Sequence, residues 1–183
     1  MPKRTEENIT IGSGDVYDAE YDPATGITDK ETLCVAENML GHVQGGAELS
    51  YTVEPHEEKD DLGRVSKVVV TNEEVILKCG LLTWNGNTLT KLADRCKVTE
   101  AAGLRTIHIG GAGNAQGKEW VICFHHIDKK DGDMWIIIRG TNQAGLTLTY
   151  ATDAATKVEP EFKALVQDDN GTLVTLIEET STT

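Results

Sequence analysis

Aromatic residues make up only 5% of this 183-residue chain, and it contains 4 prolines. With so few rings, a core must rest on Val, Ile and Leu, which favours pleated sheet. Long apolar runs are missing as well. The longest, residues 134–138, falls far short of the roughly 20 residues that a membrane-spanning helix needs. The opening MPKRTEEN carries basic residues with no apolar stretch behind them, and does not read as a secretory signal. No CxxC pair occurs among the 4 cysteines, Cys34, Cys79, Cys96 and Cys123. Reduced, partly buried thiols in a protein made in the cytoplasm are therefore expected, not a disulfide framework. Positive charge is scarce: 17 Lys and Arg face 30 Asp and Glu, for a formal charge of -13. That balance argues against binding nucleic acid through its phosphates, a mode that needs Lys and Arg to release counterions. It is compatible with solubility or with a surface that repels DNA.

What is present is a strand-rich pattern interrupted by one dense run of acids. A chain of 183 residues suffices for one domain, which at this size buries roughly 70% of its extended-chain surface. Residues 53–63 read VEPHEEKDDLG, with five carboxylates. Upstream, Leu49, Tyr51 and Val53 alternate with polar residues at strand period; downstream, Val75, Leu77, Cys79 and Leu81 do the same. The acidic run is thus expected at the tip of a long β-hairpin over 47–82, and Pro55 fits an edge or turn because it cannot donate to a central ladder.

Residues 1–30, with scattered Gly and acids, read as an N-terminal arm in which Ile9, Ile11, Val16 and Tyr17 suggest at most a short edge strand. Residues 31–40 form a short helix or strand, followed by a turn at GHVQGG. The spacing of Leu89, Leu92, Ala93 and Cys96 at i, i+3, i+4 and i+7 predicts a helix over 87–97, with Asn87 as its N-cap. The remaining strands fall within 104–177: 106–109, 119–127, 134–139, 146–150, 161–166 and 172–177, the last two flanking Asp168-Asp169-Asn170-Gly171, a strong hairpin signal. No crossover helices alternate with these strands, so the sheet should be antiparallel. The expectation is a single mainly β domain over 1–183, an antiparallel β-sandwich or partial barrel with one flanking α-helix and a long charged hairpin excursion.

Candidate chemistry is thin. His125 and His126, near Cys123 and Asp128, invite a metal, but adjacent strand residues point to opposite faces, and Cys123 with His125 is an incomplete ligand set. Gly110-Gly111-Ala112-Gly113 with Gly117 matches neither phosphate-loop spacing, and the strand-like KEWVICF follows where a helix is required. Asp128 to Asp133 reads as a turn, since lysines stand where a calcium loop needs oxygen ligands. The pairs Glu57-Glu58 and Glu73-Glu74 sit in charged surroundings and read as a solvated charged surface in preference to an acid/base pair. Ser13, Ser50, Ser66 and Ser181 lack a nucleophile-elbow context. No catalytic residue, cofactor or metal is expected, and the chain reads as structural or binding.

The order of segments, IGSGDVY, GHVQGGAELSY, the charged excursion, EEVILKCGLLTWNG, TLTKLADRC and finally VEPEFKALVQDDNGTLVTLIEE, resembles the tail tube (major tail) protein of tailed bacteriophages and prophages along most of the chain. The resemblance implies a β-sandwich with a flanking helix that assembles into homohexameric rings. The rings would stack into a tube that conducts DNA without specific binding and meets other tail proteins at its ends, so the chain would reside in the virion tail, with no membrane partner. It also implies that an inter-ring contact loop maps onto Glu54, Pro55, His56, Glu57, Glu58, Lys59, Asp60 and Asp61. A tube of a contractile tail or secretion apparatus shares that architecture. Alternatives of other classes are a carbohydrate-binding or adhesive β-sandwich module, though Trp84, Trp120 and Trp135 are spaced apart, and a small hydrolase.

Overall fold

A computed structural model describes residues 9–180; residues 1–8 of the expected N-terminal arm, and Ser181, lie outside the described residues. In chain order the elements are β1 (Gly14–Glu20), α1 (Lys30–Leu33), a 3-10 turn at Ala36–Asn38, β2 (Met39–Lys59), β3 (Ser66–Leu81) and α2 (Gly86–Leu92). There follow β4 (Cys96–Ala101), β5 (Leu104–Ile109), a 3-10 turn at Ala112–Asn114, β6 (Trp120–His126), β7 (Met134–Asn142), β8 (Glu161–Leu165) and β9 (Val174–Glu178). Among the described residues the strands pair antiparallel throughout, as expected from the lack of crossover helices.

The main sheet runs β6-β1-β2-β3-β8-β7-β9, and β6 also pairs with β7. That pairing closes β1, β2, β3, β8, β7 and β6 into a barrel, which removes the edges of those strands wherever they are paired on both sides. Val16, Leu77, Leu81, Ile122, Ile138 and Phe162 fill its interior, each 2% exposed or less. The alternation read in β3 is realised: Val75, Leu77, Cys79 and Leu81 are buried. On the barrel's outer face a second cluster forms, where Val121 and Cys123 of β6 and Trp135 and Ile137 of β7 pack under Leu33. The short segment carrying α1 therefore lies over β1, β6 and β7. Asp29 caps α1, its Oδ1 accepting from Thr32 N at 2.8 Å.

Several local expectations are corrected. The N-terminal region is not merely an arm with an edge strand: β1 pairs with β2 on one side and β6 on the other. Its inward-facing Asp18, 2% exposed, breaks the apolar alternation, and the partner that tolerates it there, Lys91 Nζ at 2.8 Å, is 73 residues away in sequence. GHVQGG is a bulge inside β2 instead of a turn: the register jumps between Val43 and Ala47, with Gly45 and Gly46 at φ 94 and 78. The helix is α2, which stops at Leu92. Its N-cap is Asn85, not Asn87, with the Asn85 side chain accepting from Asn87 N and Thr88 N. Leu89 and Leu92 reach the core, but Cys96 is buried as the first residue of β4.

The strand expected over 106–109 is the outer part of β5, but its partner β4 was not expected, because the turn between them is Ala102-Gly103, at φ 50 and 75, where Asn-Gly is the usual signal. Residues 146–150 form no strand, although Leu146 and Leu148 pack on the core from an irregular segment. Asp168 to Gly171 closes no hairpin either. β8 and β9 both line the same edge of β7, β8 along its C-terminal half and β9 along its N-terminal half, so the segment between them is a loop within one interrupted edge.

Candidate functional site

The hairpin β2–β3 extends well past the barrel. On β2 the pairing with β1 covers only Met39 to His42; on β3 the pairing with β8 covers only Ile76 to Lys78. Beyond those rungs, among the described residues, each strand pairs only with the other, down to Lys59↔Ser66. The ribbon therefore offers two rows of backbone donors and acceptors with no strand partner. A second bulge at Glu54/Pro55 leaves Thr71 without a cross-strand partner, and its Oγ1 donates to the Glu54 carbonyl at 2.9 Å. Pro55, which has no N–H, sits where the ladder is already broken.

The structure places the acidic run on a strand more than in a loop: Glu54, Pro55, His56, Glu57, Glu58 and Lys59 belong to β2, and only Asp60 and Asp61 belong to the turn. Its charges are largely answered nearby. Glu57 pairs with Lys59 at 2.9 Å, Glu58 with His56 at 2.7 Å and Asp60 with Arg64 at 3.0 Å. The Val65 N–H donates to Asp60 Oδ1 at 2.8 Å, and this bond foremost holds the Asp60 carboxyl below its ordinary range. From 53 to 70, five acids against three bases leave a formal charge of only -2.

The facing limb, rich in valine, lies outside the contact loop expected at Glu54 to Asp61. Val65, Val68, Val69 and Val70 are 69%, 59%, 41% and 55% exposed. Directly opposed residues of an antiparallel pair share a face. Pro55↔Val70 and Glu57↔Val68 thus lie on the face that continues from Tyr51↔Val75 and Leu49↔Leu77, the face that lines the barrel interior. On that face Tyr51, Val53, Pro55, Val68 and Val70 run out of the core into solvent, with Glu73 and Glu57 set among them. The signal was legible as SKVVV, a short β-branched run too exposed here to be core.

The other candidate motifs resolve into structural roles. His126 points into the barrel, 5% exposed, its Nδ1 3.0 Å from the Ser13 carbonyl; His125 lies outside, stacked on Trp135 with centroids 4.8 Å apart and Nε2 2.8 Å from Asp133. The opposite-face reading holds. Asp128 accepts from Lys130 N and Asp131 N, closing a turn. Gly110 to Gly117 links β5 to β6 through a 3-10 turn. Glu73 accepts from Tyr51 Oη at 3.1 Å, while Glu74 pairs with Lys163. A cleft of about 480 Å³ beside the β2 bulge is lined by Gly45, Gly46, Glu48, Lys78 and Cys79, and burial pushes the Cys79 thiol up to about 12. Among the described residues no group of three His, Cys, Asp or Glu is placed to hold a metal ion, and no helix is long and apolar enough to cross a membrane. No protein-family model matches the chain, and no curated protein matches it.

Proposed function

We propose that this chain is the ring-forming subunit of a tail tube, with the β2–β3 ribbon as its principal assembly element. The observation that carries the reading is the ribbon itself: two unpaired strand edges and an exposed apolar strip on a projection that the barrel does not use. Such a feature on a soluble chain is an aggregation hazard unless an ordered partner covers it. The two edges differ in character. Toward the tip, β2 carries Glu54, Glu57 and Glu58 with Lys59, whereas β3 carries Lys67 and three valines before Glu73 and Glu74. Unlike edges favour head-to-tail contact between copies, the type that closes into rings when the rotation permits. Together with the resemblance in segment order, this supports homohexameric rings stacked into a tube that conducts DNA. The charge of -13 suits a conduit that does not grip phosphates.

Concentrated protein examined by negative-stain microscopy and sedimentation velocity should show rings or stacked tubes. A monomer that persists at high concentration overturns the proposal, and retention of that monomer on a glycan array would favour the carbohydrate-binding alternative. An electrophoretic shift of double-stranded DNA at physiological salt by the assembled protein would contradict the passive conduit.

A further inference from the structure

Under the α1 segment lies a pair of thiols with no part in the assembly reading. Cys34 caps the C-terminal end of α1 and is half-buried, whereas Cys123 in β6 is fully buried beneath it. Their Sγ atoms are 3.5 Å apart although the residues are 89 positions apart in sequence. A disulfide requires sulfurs about 2.05 Å apart, so closure needs a shift of about 1.5 Å. The Cys34 side chain lies in a short surface segment held by Leu33 and by the Asp29 cap, and rotation there can supply the movement. The surroundings divide the two thiols into unlike roles. The ammonium of Lys30, one turn before Cys34, stands 4.4 Å from the Trp135 ring centroid and pairs with Glu31. The hydrogen bond between the two thiols foremost, and then the Lys30 charge, hold the Cys34 thiol below its usual range, while Cys123 is pushed up by that same bond and by burial. A reachable thiol that ionises readily, with a buried thiol in contact behind it, is the arrangement of an attacking and a resolving cysteine.

We infer that Cys34 and Cys123 form a thiol–disulfide exchange site, a modification site at which low-molecular-weight disulfides convert the pair into an internal Cys34–Cys123 disulfide. The Cys34 thiolate attacks one sulfur of the small disulfide, whose S–S bond breaks and whose other half leaves as a thiolate and takes up a proton. Cys123 then gives its proton to solvent and attacks Cys34 Sγ in the mixed disulfide, expelling the second small thiolate, which is protonated in turn. Two protein thiols are oxidised, one small disulfide is reduced to two thiols, and no other reactant enters. The bond would pin the α1 segment to β6 and enclose a long stretch of chain in a covalent loop, so that the oxidised protein melts roughly 10 °C higher than the reduced one. A chain made in a reducing compartment would carry free thiols until it left that compartment.

The test uses the full chain, reduced, desalted and exposed to oxidised glutathione at pH 8, then acid-quenched, denatured and alkylated for intact-mass and peptide mapping. The expected product has lost two hydrogens, yields a crosslinked Cys34–Cys123 peptide, and leaves Cys79 and Cys96 fully alkylated. In Cys123→Ser the reaction should stop at a glutathionyl group on Cys34, and in Cys34→Ser neither product should form. Native alkylation should modify Cys34 roughly tenfold or more faster than Cys79. A stable glutathionyl adduct on wild-type Cys34, crosslinks that involve Cys79 or Cys96, or closure no faster than in the urea-unfolded chain would each overturn the inference. Because the readouts are chemical and made on the subunit, a negative result here leaves the assembly reading intact, and failure to form tubes leaves this one intact.

Discussion

Removing the outer ribbon separates its role in the subunit from its role between subunits. Glu54 and Asn72 are opposed in the ladder, so residues 55–71 can be replaced by Asn-Gly, a two-residue turn suited to joining antiparallel strands. None of the removed side chains is buried, and the barrel strands β1, β6, β7 and β8 make no ladder with them. The shortened subunit should therefore keep its circular dichroism spectrum and a Tm within a few degrees of wild type. Assembly is another matter. Val65, Val68, Val69 and Val70 retain between 41% and 69% of their surface in the subunit. Full burial of a valine stabilises by about 1.5–2 kcal/mol, so covering what remains is worth about 1 kcal/mol each. About 4 kcal/mol lost per contact corresponds to roughly a thousandfold weaker association. Sedimentation velocity across a concentration series, with negative-stain images of the same samples, should show the shortened chain as a monomer where wild type forms rings or tubes. Tubes of normal length at the same concentration would refute the reasoning, because the exposed valines and open edges would then contribute nothing to association.

Three further expectations concern the subunit. Leu92→Asp places a carboxylate at a core position only 2% exposed and should cost on the order of 4 kcal/mol, read as a large fall in urea midpoint; an unchanged midpoint would mean that α2 is not packed on the barrel. Ala102→Asn puts a residue tolerant of φ 50 into the β4–β5 turn and should raise the Tm by a few degrees, about 0.5–1 kcal/mol; a lower Tm would show that the strain argument fails. Burial raises the Asp18 carboxyl above 3.8 against the opposing pull of Lys91, so its ionised form costs stability at pH 7, a cost that vanishes as pH falls through the raised folded value. The Tm of Asp18→Asn minus that of wild type should accordingly decrease between pH 7 and about pH 4; a constant or growing difference would contradict the sign.

The parts of the fold legible in the sequence were those governed by local period. Val75, Leu77, Cys79 and Leu81 alternate in one strand, and their burial followed directly. What escaped depended on groups far apart in the chain. β1 looked peripheral because Asp18 interrupts its apolar face, and nothing near it in sequence reveals that Lys91 arrives from α2 to pair with it. Cys34 and Cys123 showed no motif spacing because their proximity depends on α1 folding back over β6. The glycine pair at Gly45-Gly46 and the Asp168 to Gly171 segment were read as turns because positive-φ glycines serve turns, bulges and loops alike, and only the partner strand decides between them. At the candidate site the acidic limb was conspicuous in composition, but the bases and valines of the opposing limb became relevant only once the register set Glu57 against Val68 and Glu58 against Lys67.

That register changes the answer to why the chain concentrates acids at 54–61. The whole chain has a formal charge of -13, but the outer part of the ribbon, 53–70, accounts for only -2 of it, which leaves -11 on the remaining residues, Glu48, Glu73 and Glu74 at the ribbon's base included. The repulsion that would keep phosphates from adhering to a tube wall therefore resides mainly in the body. The outer part of the ribbon, by contrast, carries little net charge and is unlike on its two limbs, with Glu54, Glu57 and Glu58 beside Lys59 on β2 and Lys67 with three valines on β3. Exposed ion pairs such as Glu57 with Lys59 and Asp60 with Arg64 add little stability to the subunit, typically below about 1 kcal/mol each. Their larger effect is on specificity, since like edges brought together would set acid against acid, whereas unlike edges set acid against base. On this view the acids select the direction of contact between copies, and the valines opposite them supply most of the free energy.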